Sequence, residues 1–155
     1  LTCMTVQHTM IYRSPHKAFA NTTIRQTAKE LLACAREKLP AFGSEWEQID
    51  ACFESVELYH IPPGRVPYIR GRTGVAAFVH PIVDSKSVFV TPVFKQMNPV
   101  EQALVVIHEC AHLGFGAVDY AYEWQEKYHT LTPNEHRKNA DSYTQVVRQR
   151  CISYT

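Results

Sequence analysis

One stretch of this chain decides how the rest is interpreted: residues 105–113, which read Val-Val-Ile-His-Glu-Cys-Ala-His-Leu. On an α-helix, residues four positions apart lie on one face, about 6 Å apart along the axis, so His108 and His112 can offer imidazole nitrogens to one metal ion. Glu109 is turned away from that ion, but its carboxylate can reach a water molecule beside it. The pattern therefore predicts a hydrolytic zinc site, with the two histidines as ligands and Glu109 as general base.

The helix that carries this motif has clear ends. Asn98 is a capping residue, Pro99 takes the first helical position, and Glu101 follows at the third. Gly114 and Gly116 come directly after the motif and can adopt the left-handed conformation that closes a helix. Because a largely apolar helix seldom buries two histidines and a glutamate without partners, we expect a bound ion.

Helical signals elsewhere predict a mainly helical α+β domain. Residues 1–20 show no sustained period, which predicts an arm or a short strand. Apolar residues at three- and four-residue steps predict a first helix between Thr22 and Pro40, and Ser44 begins a second. A capping signature at residues 132–135 begins the last helix.

Two β-rich runs predict a hairpin beside the motif helix. They are residues 75–83 and 87–94, joined by residues 84–86, and they combine alternation with β-branched side chains. Pro81 and Pro92 favour sheet edges for both strands. An extended peptide can add to such an edge by backbone hydrogen bonds and so present its bond to the metal.

Composition bounds the class of protein. With 155 residues, 45% of them apolar and 20% charged, the chain suits one domain with a sizeable core, over residues 1–155. A formal net charge of +1 gives no electrostatic case for nucleic acid, and no apolar stretch approaches the length of a membrane span. The arginines of the loop between Ile61 and Gly74 are expected on the solvated surface.

The opening Leu-Thr-Cys-Met is neither an initiator methionine nor a signal peptide, so we expect a processed or excised part of a longer chain, with the other domains as partners.

The five cysteines are odd in number, so at least one is expected to be free. Cys110 lies inside the motif but is turned from both histidines, and we predict that it is a buried core residue and not a ligand. A bond between Cys34 and Cys52 would join the first two helices, although spacing alone does not establish the connectivity.

The identity of the third metal ligand is open from spacing alone. Catalytic zinc usually takes three protein ligands and leaves one position for water. A metzincin would place a third histidine six residues after His112, where Val118 stands. A thermolysin-like enzyme would take a glutamate from a later helix, for which Glu135 is available. The candidates downstream are Asp119, Glu123, Glu126, His129, Glu135, His136 and Asp141.

Two further motifs carry a family resemblance. Residues 116–122, Gly-Ala-Val-Asp-Tyr-Ala-Tyr, resemble the Gly-Thr-x-Asp-x-x-Tyr signature of the aspzincins, the family of deuterolysin and peptidyl-Lys metalloendopeptidase. Residues 139–141, Asn-Ala-Asp, are similar to a segment on that family's last helix. The resemblance implies a zincin-like fold and one catalytic zinc ion with Asp119 as third ligand. It also implies that Tyr122 donates to the developing oxyanion and that Asp141 lines a pocket for a basic side chain after the scissile bond.

The chain also departs from the family pattern. Ala117 stands where threonine is usual, and Glu123 follows Tyr122 where glycine is common. Thr144 stands where lysine-specific members carry a further acidic residue, which weakens the expectation of strict lysine specificity. The ligand types are unchanged by these departures, so the predicted metal site stands.

These observations together predict a zinc-dependent endopeptidase that acts on a protein or peptide substrate. One alternative is a non-catalytic binding domain whose zinc is structural and closed by a fourth ligand, such as His129 or His136. Another is a zinc amidase that acts on a cell-wall or other non-protein amide. Fungal aspzincins are secreted and similar bacterial domains occur in secreted or injected effectors and toxins, so the resemblance implies secretion or delivery outside the producing cell.

Overall fold

The computed structural model describes residues 22–38, 43–61, 75–82 and 84–153. The arm predicted at residues 1–20 lies outside these described residues, as does the loop over residues 62–74.

Helices make up most of the described chain, and a small sheet completes a mixed α+β domain, as the sequence predicted. A 3-10 helix spans Glu126–Thr130. Among the described helices, none is both long and apolar enough to cross a membrane. The α-helices in chain order are α1 (Thr22–Lys38), α2 (Gly43–Ser55), α3 (Pro92–Lys95), α4 (Pro99–Phe115), α5 (Pro133–Arg137) and α6 (Ala140–Cys151).

The sheet has three strands, β1 (Glu57–His60), β2 (Ala77–His80) and β3 (Asp84–Val90), in the order β1-β3-β2. The predicted hairpin is confirmed, because β2 and β3 pair antiparallel. The strand β1 pairs parallel with the other side of β3 and was not predicted, since four residues directly after a helix carry too short a pattern to recognise.

The details of the hairpin correct two predictions. Asp84 is already part of β3, not of the turn, and its carboxylate accepts hydrogen bonds from the backbone of Lys86 and the hydroxyl of Ser87. The strand β3 is central, not an edge strand, and Pro92 lies at the first position of α3, where its missing N–H is not needed. The strand β2 keeps an edge position.

The motif helix α4 lies at the centre of the domain. It packs against α1, α2, α6 and the sheet, and its buried face includes Leu104 and Ile107. Both predicted ends of the helix are confirmed. The side chain of Asn98 accepts a hydrogen bond from the backbone N–H of Glu101 at 2.9 Å, and Gly116 ends the helix with a φ of 76°.

The helices α2 and α4 approach each other closely at Gly114. A Cβ atom at this position would lie 2.8 Å from the backbone oxygen of Gln48. That distance is shorter than any ordinary contact, so glycine is required here by packing. The close approach fixes the motif helix against the core.

Among the described residues one disulfide is formed, between two cysteines whose pairing the sequence left open. Cys34 is bonded to Cys151, with their Cα atoms 5.9 Å apart, so the bond joins α1 to α6. Cys34 is therefore not bonded to Cys52, a pairing that the sequence left open, and Cys52 is a free thiol that interacts with the thiol of Cys110 on α4. Cys110 is fully buried in the core, as predicted, and both of these thiols are free.

Candidate metal centre

Three predicted ligand residues converge at one point. The Nε2 atoms of His108 and His112 lie 3.3 Å apart. The Oδ1 atom of Asp119 lies 3.2 Å from each of them. Two donors come from one face of α4 and the third from the loop that follows it.

The triangle of donor atoms fits a metal ion. In tetrahedral zinc sites with ligand bonds of about 2.0 to 2.1 Å, simple trigonometry places neighbouring donor atoms about 3.3 to 3.4 Å apart. The observed separations of 3.2, 3.2 and 3.3 Å are close to this range. In the described part of the chain, the group that could hold a metal ion consists of His108, His112 and Asp119.

The pKa values of these side chains reflect how close together they lie. Burial lowers the pKa of His112, but the hydrogen bond with Asp119 and the charge of Glu109 outweigh it and raise the pKa to about 9. Burial also disfavours the charged form of Asp119, yet hydrogen bonds to the two histidines hold the pKa of its carboxyl well below the usual range. Both shifts show that the carboxylate of Asp119 favours a positive charge beside it.

Each histidine is oriented from its other ring nitrogen. The Nδ1–H of His112 donates to the backbone oxygen of Ala117 at 2.6 Å, so Nε2 is the ring nitrogen that faces the centre. The Nδ1 atom of His108 lies 3.9 Å from Oδ1 of Asp141, an electrostatic contact longer than a hydrogen bond. Asp141 thus lies behind a ligand histidine, and its Oδ2 accepts a hydrogen bond from the backbone N–H of Glu123 at 2.7 Å.

The loop that carries Asp119 is held by Asn139, a residue to which the sequence assigned no role. Its Oδ1 accepts hydrogen bonds from the backbone N–H groups of Tyr120 and Ala121, at 2.9 and 3.2 Å. Its Nδ2 donates to the oxygen of Ala121 at 2.8 Å and to the hydroxyl of Ser142 at 3.0 Å. The asparagine is fully buried. The Asn-Ala-Asp motif contained the signal, since a buried asparagine needs this many partners.

A cleft of about 520 Å³ opens beside the metal centre. Its walls include Glu109 and Tyr122, together with residues 75–77 at the start of β2 and Thr144 on α6. Glu109 is buried, with 7% of its surface exposed. The ring of Tyr122 lies parallel to that of His108, with ring centres 5.6 Å apart. The predicted base and the predicted oxyanion donor therefore border the same cleft as the metal centre.

The other ligand candidates lie elsewhere. The carboxylate of Glu135, the alternative third ligand, accepts a hydrogen bond from the backbone of Thr132 and caps α5. His129 donates from Nε2 to the backbone oxygen of Glu123, and His136 shares a hydrogen bond with Ser142. Among the described residues, neither histidine belongs to the group that could hold a metal ion, so neither supplies the fourth ligand of the alternative, structural site.

Comparisons of this chain with protein-family models, with curated proteins and with solved structures found no match. The resemblance to aspzincins therefore stays a prediction from sequence motifs. The geometry of the site is the evidence on which a function can be proposed.

Proposed function

We propose that this chain is a zinc-dependent endopeptidase that hydrolyses peptide bonds in a protein or peptide substrate. The observation that carries the proposal is the triangle of donor atoms from His108, His112 and Asp119, at separations of 3.2 to 3.3 Å, beside a cleft lined by Glu109. Three protein ligands and an adjacent carboxylate are what a catalytic zinc site needs, whereas a structural site is closed by a fourth ligand.

Zinc bound to these three residues would supply a Lewis acid that activates a water molecule and polarises the scissile carbonyl. Glu109 takes the proton from the attacking water and returns it to the leaving amine. The hydroxyl of Tyr122 donates a hydrogen bond to the carbonyl oxygen as negative charge develops there. Asp141 and the backbone of Ala117 orient the two histidines from behind.

The edge of β2 is proposed to bind the backbone of the substrate. Directly before β2, the backbone oxygen of Ala76 accepts a hydrogen bond from the backbone N–H of Thr91 at 2.9 Å, so it points towards the chain at the end of β3. Alternation turns the backbone groups of Ala77 the opposite way. Because residues 75–77 line the cleft, an extended peptide paired with this edge would pass beside Glu109.

A preference for a basic residue after the scissile bond stays a prediction. Asp141 lines the cleft, but its two oxygens face His108 and the backbone of Glu123. We therefore propose positioning of His108 as its main role.

Secretion or delivery outside the producing cell is also proposed, and the bond between Cys34 and Cys151 supports it, since disulfides persist in oxidising compartments.

The proposal is tested by Glu109→Gln and Asp119→Ala with a mixed peptide library, read by mass spectrometry, and a parallel measurement of zinc content. Glu109→Gln should keep zinc but lose cleavage by orders of magnitude, whereas Asp119→Ala should lower zinc affinity. Glu126→Gln, an exposed glutamate on the 3-10 helix, is the matched control and should behave as wild type. Undiminished cleavage by zinc-loaded Glu109→Gln would refute the mechanism. Cleavage of cell-wall amides but not of peptides would favour an amidase. Binding of peptides without their hydrolysis would favour a binding domain.

A further inference from the structure

Trp124 is unusually exposed for a residue in a cleft. The chain has two tryptophans, and the other, Trp46, is completely buried in the core. The exposed fraction of Trp124 is 76%. Ligand-binding clefts are lined mainly by hydrophobic and aromatic side chains, and a tryptophan ring offers a large contact area to a bound ligand.

Trp124 is the outer member of a series of near-parallel rings that starts at the metal centre. The rings of His108 and Tyr122 are inclined by 5° with centres 5.6 Å apart. The rings of Tyr122 and Trp124 are inclined by 15° with centres 6.1 Å apart. All three residues line the cleft, so the last ring offers a face of the same orientation to a bound substrate.

The turn that presents Trp124 is held in place by hydrogen bonds on both sides of it. The N–H of Gln125 donates to the oxygen of Tyr122 at 2.9 Å, and the side chain of Gln125 accepts from the N–H of Tyr122 at 2.8 Å. Glu123 is held by Asp141 through its N–H at 2.7 Å and by His129 through its oxygen at 3.1 Å. Such a backbone loses little freedom when a ligand binds, which favours affinity.

We propose that the exposed face of Trp124 is a substrate subsite that stacks an aromatic side chain of the peptide close to the scissile bond; this rests on the proposed endopeptidase function. An aromatic ring stacked on Trp124 extends the series, at a centre spacing within the ordinary 4.5 to 7 Å range. The cleft offers such a ring apolar walls from residues 75–77, Leu104 and Val105. The neighbouring exposed carboxylate of Glu123 would favour a cation instead, and the experiment separates the two.

The experiment compares kcat/KM of the zinc-loaded protein for peptides that are identical except for one residue near the bond. That residue is phenylalanine, its saturated analogue cyclohexylalanine, alanine or arginine. We expect the phenylalanine peptide to exceed the alanine peptide about tenfold, with cyclohexylalanine between them. In Trp124→Ala the ratio of phenylalanine to alanine should fall to near one, and Trp124→Phe should restore most of it. Ile82→Ala, which removes another highly exposed apolar side chain outside the cleft, should keep the ratio.

A second readout does not depend on hydrolysis. In the Glu109→Gln variant, the phenylalanine peptide should shield Trp124 from quenching of its fluorescence by iodide, while buried Trp46 contributes little change. Cleavage with equal rates for all four peptides, or a preference that survives Trp124→Ala, would overturn the subsite and leave the endopeptidase function in place. Shielding by the phenylalanine peptide without cleavage by wild-type protein would support the subsite and refute the endopeptidase function. An arginine preference that disappears in Glu123→Gln would overturn the aromatic assignment.

Discussion

The side chain of Asn139 binds both backbone groups of Ala121: its Oδ1 accepts from the N–H at 3.2 Å and its Nδ2 donates to the oxygen at 2.8 Å. This pair of hydrogen bonds closes the loop between Asp119 and Tyr122. Asn139, which lies outside the group of side chains that could hold a metal ion, thus holds the loop that carries Asp119 and Tyr122.

The first prediction concerns this asparagine. Asn139→Ala removes the amide and leaves buried backbone groups of the loop without partners, so Asp119 should lose its fixed position. Zinc affinity should fall about 10- to 100-fold, the usual effect of losing a group that orients a ligand. Competition with a chelating indicator measures the zinc affinity, and circular dichroism checks that the variant is folded. Asn134→Ala, an exposed asparagine on α5, should match wild type. Wild-type zinc affinity in a folded Asn139→Ala protein would contradict the prediction.

Local signals made the motif helix α4 predictable. Its cap at Asn98, its end at Gly116 and the spacing of its two histidines all lie within 20 residues. The third ligand could not be chosen by spacing. Asp119 was identified by a motif resemblance, and its proximity to the histidines depends on a loop closed from Asn139, 20 positions further on. A sequence pattern describes which face of an element is apolar, and it does not specify which distant element that face will meet.

The same limit explains two features of the fold that the sequence did not predict. The pairing of β1 with β3 joins segments about 30 residues apart, and β1 is too short to show a period. The bond of Cys34 crosses 117 positions to Cys151, whereas Cys52, the possible partner that the sequence suggested, is nearer in the chain.

A second prediction tests how tightly α2 and α4 pack. Gly114→Ala places a methyl group 2.8 Å from the backbone oxygen of Gln48, and the helices must separate to admit it. The free energy of unfolding should decrease by about 1 to 3 kcal/mol. Gly43→Ala is the matched control, since an added Cβ there meets nothing within 4 Å, and it should leave stability almost unchanged. Urea unfolding of both variants measures the difference, and equal midpoints would show that the close approach is wrong.

A third prediction concerns the bond between Cys34 and Cys151. It closes a loop across a sequence separation of 117 residues, and chain entropy alone predicts a stabilisation of about 3 to 5 kcal/mol. The double variant Cys34→Ser, Cys151→Ser should therefore unfold at a lower guanidinium concentration than the oxidised wild type. Wild-type protein with reductant should unfold like the variant, because it lacks the same bond. The bond is excluded if the oxidised wild type and the double variant unfold together.

A fourth prediction follows from the ion pair between α4 and α6. The guanidinium of Arg148 contacts both carboxylate oxygens of Glu101, at 2.7 and 2.9 Å, and these hydrogen bonds hold the pKa of Glu101 below its usual range. A lowered folded-state pKa means that the pair stabilises the fold above the unfolded-state pKa, and that this contribution is lost as pH falls through the lower folded-state value. Because the side chains are about one-third exposed, solvent limits the contribution to less than about 1 kcal/mol.

Glu101→Gln and Arg148→Met should each unfold more easily than wild type at pH 7. The difference from wild type should shrink as pH is lowered below about 4, the ordinary range of a glutamate. Urea unfolding between pH 3 and 7 measures it. A difference that stays constant over this range would show that the ion pair makes no pH-dependent contribution, and that the two substitutions act through packing between α4 and α6 alone.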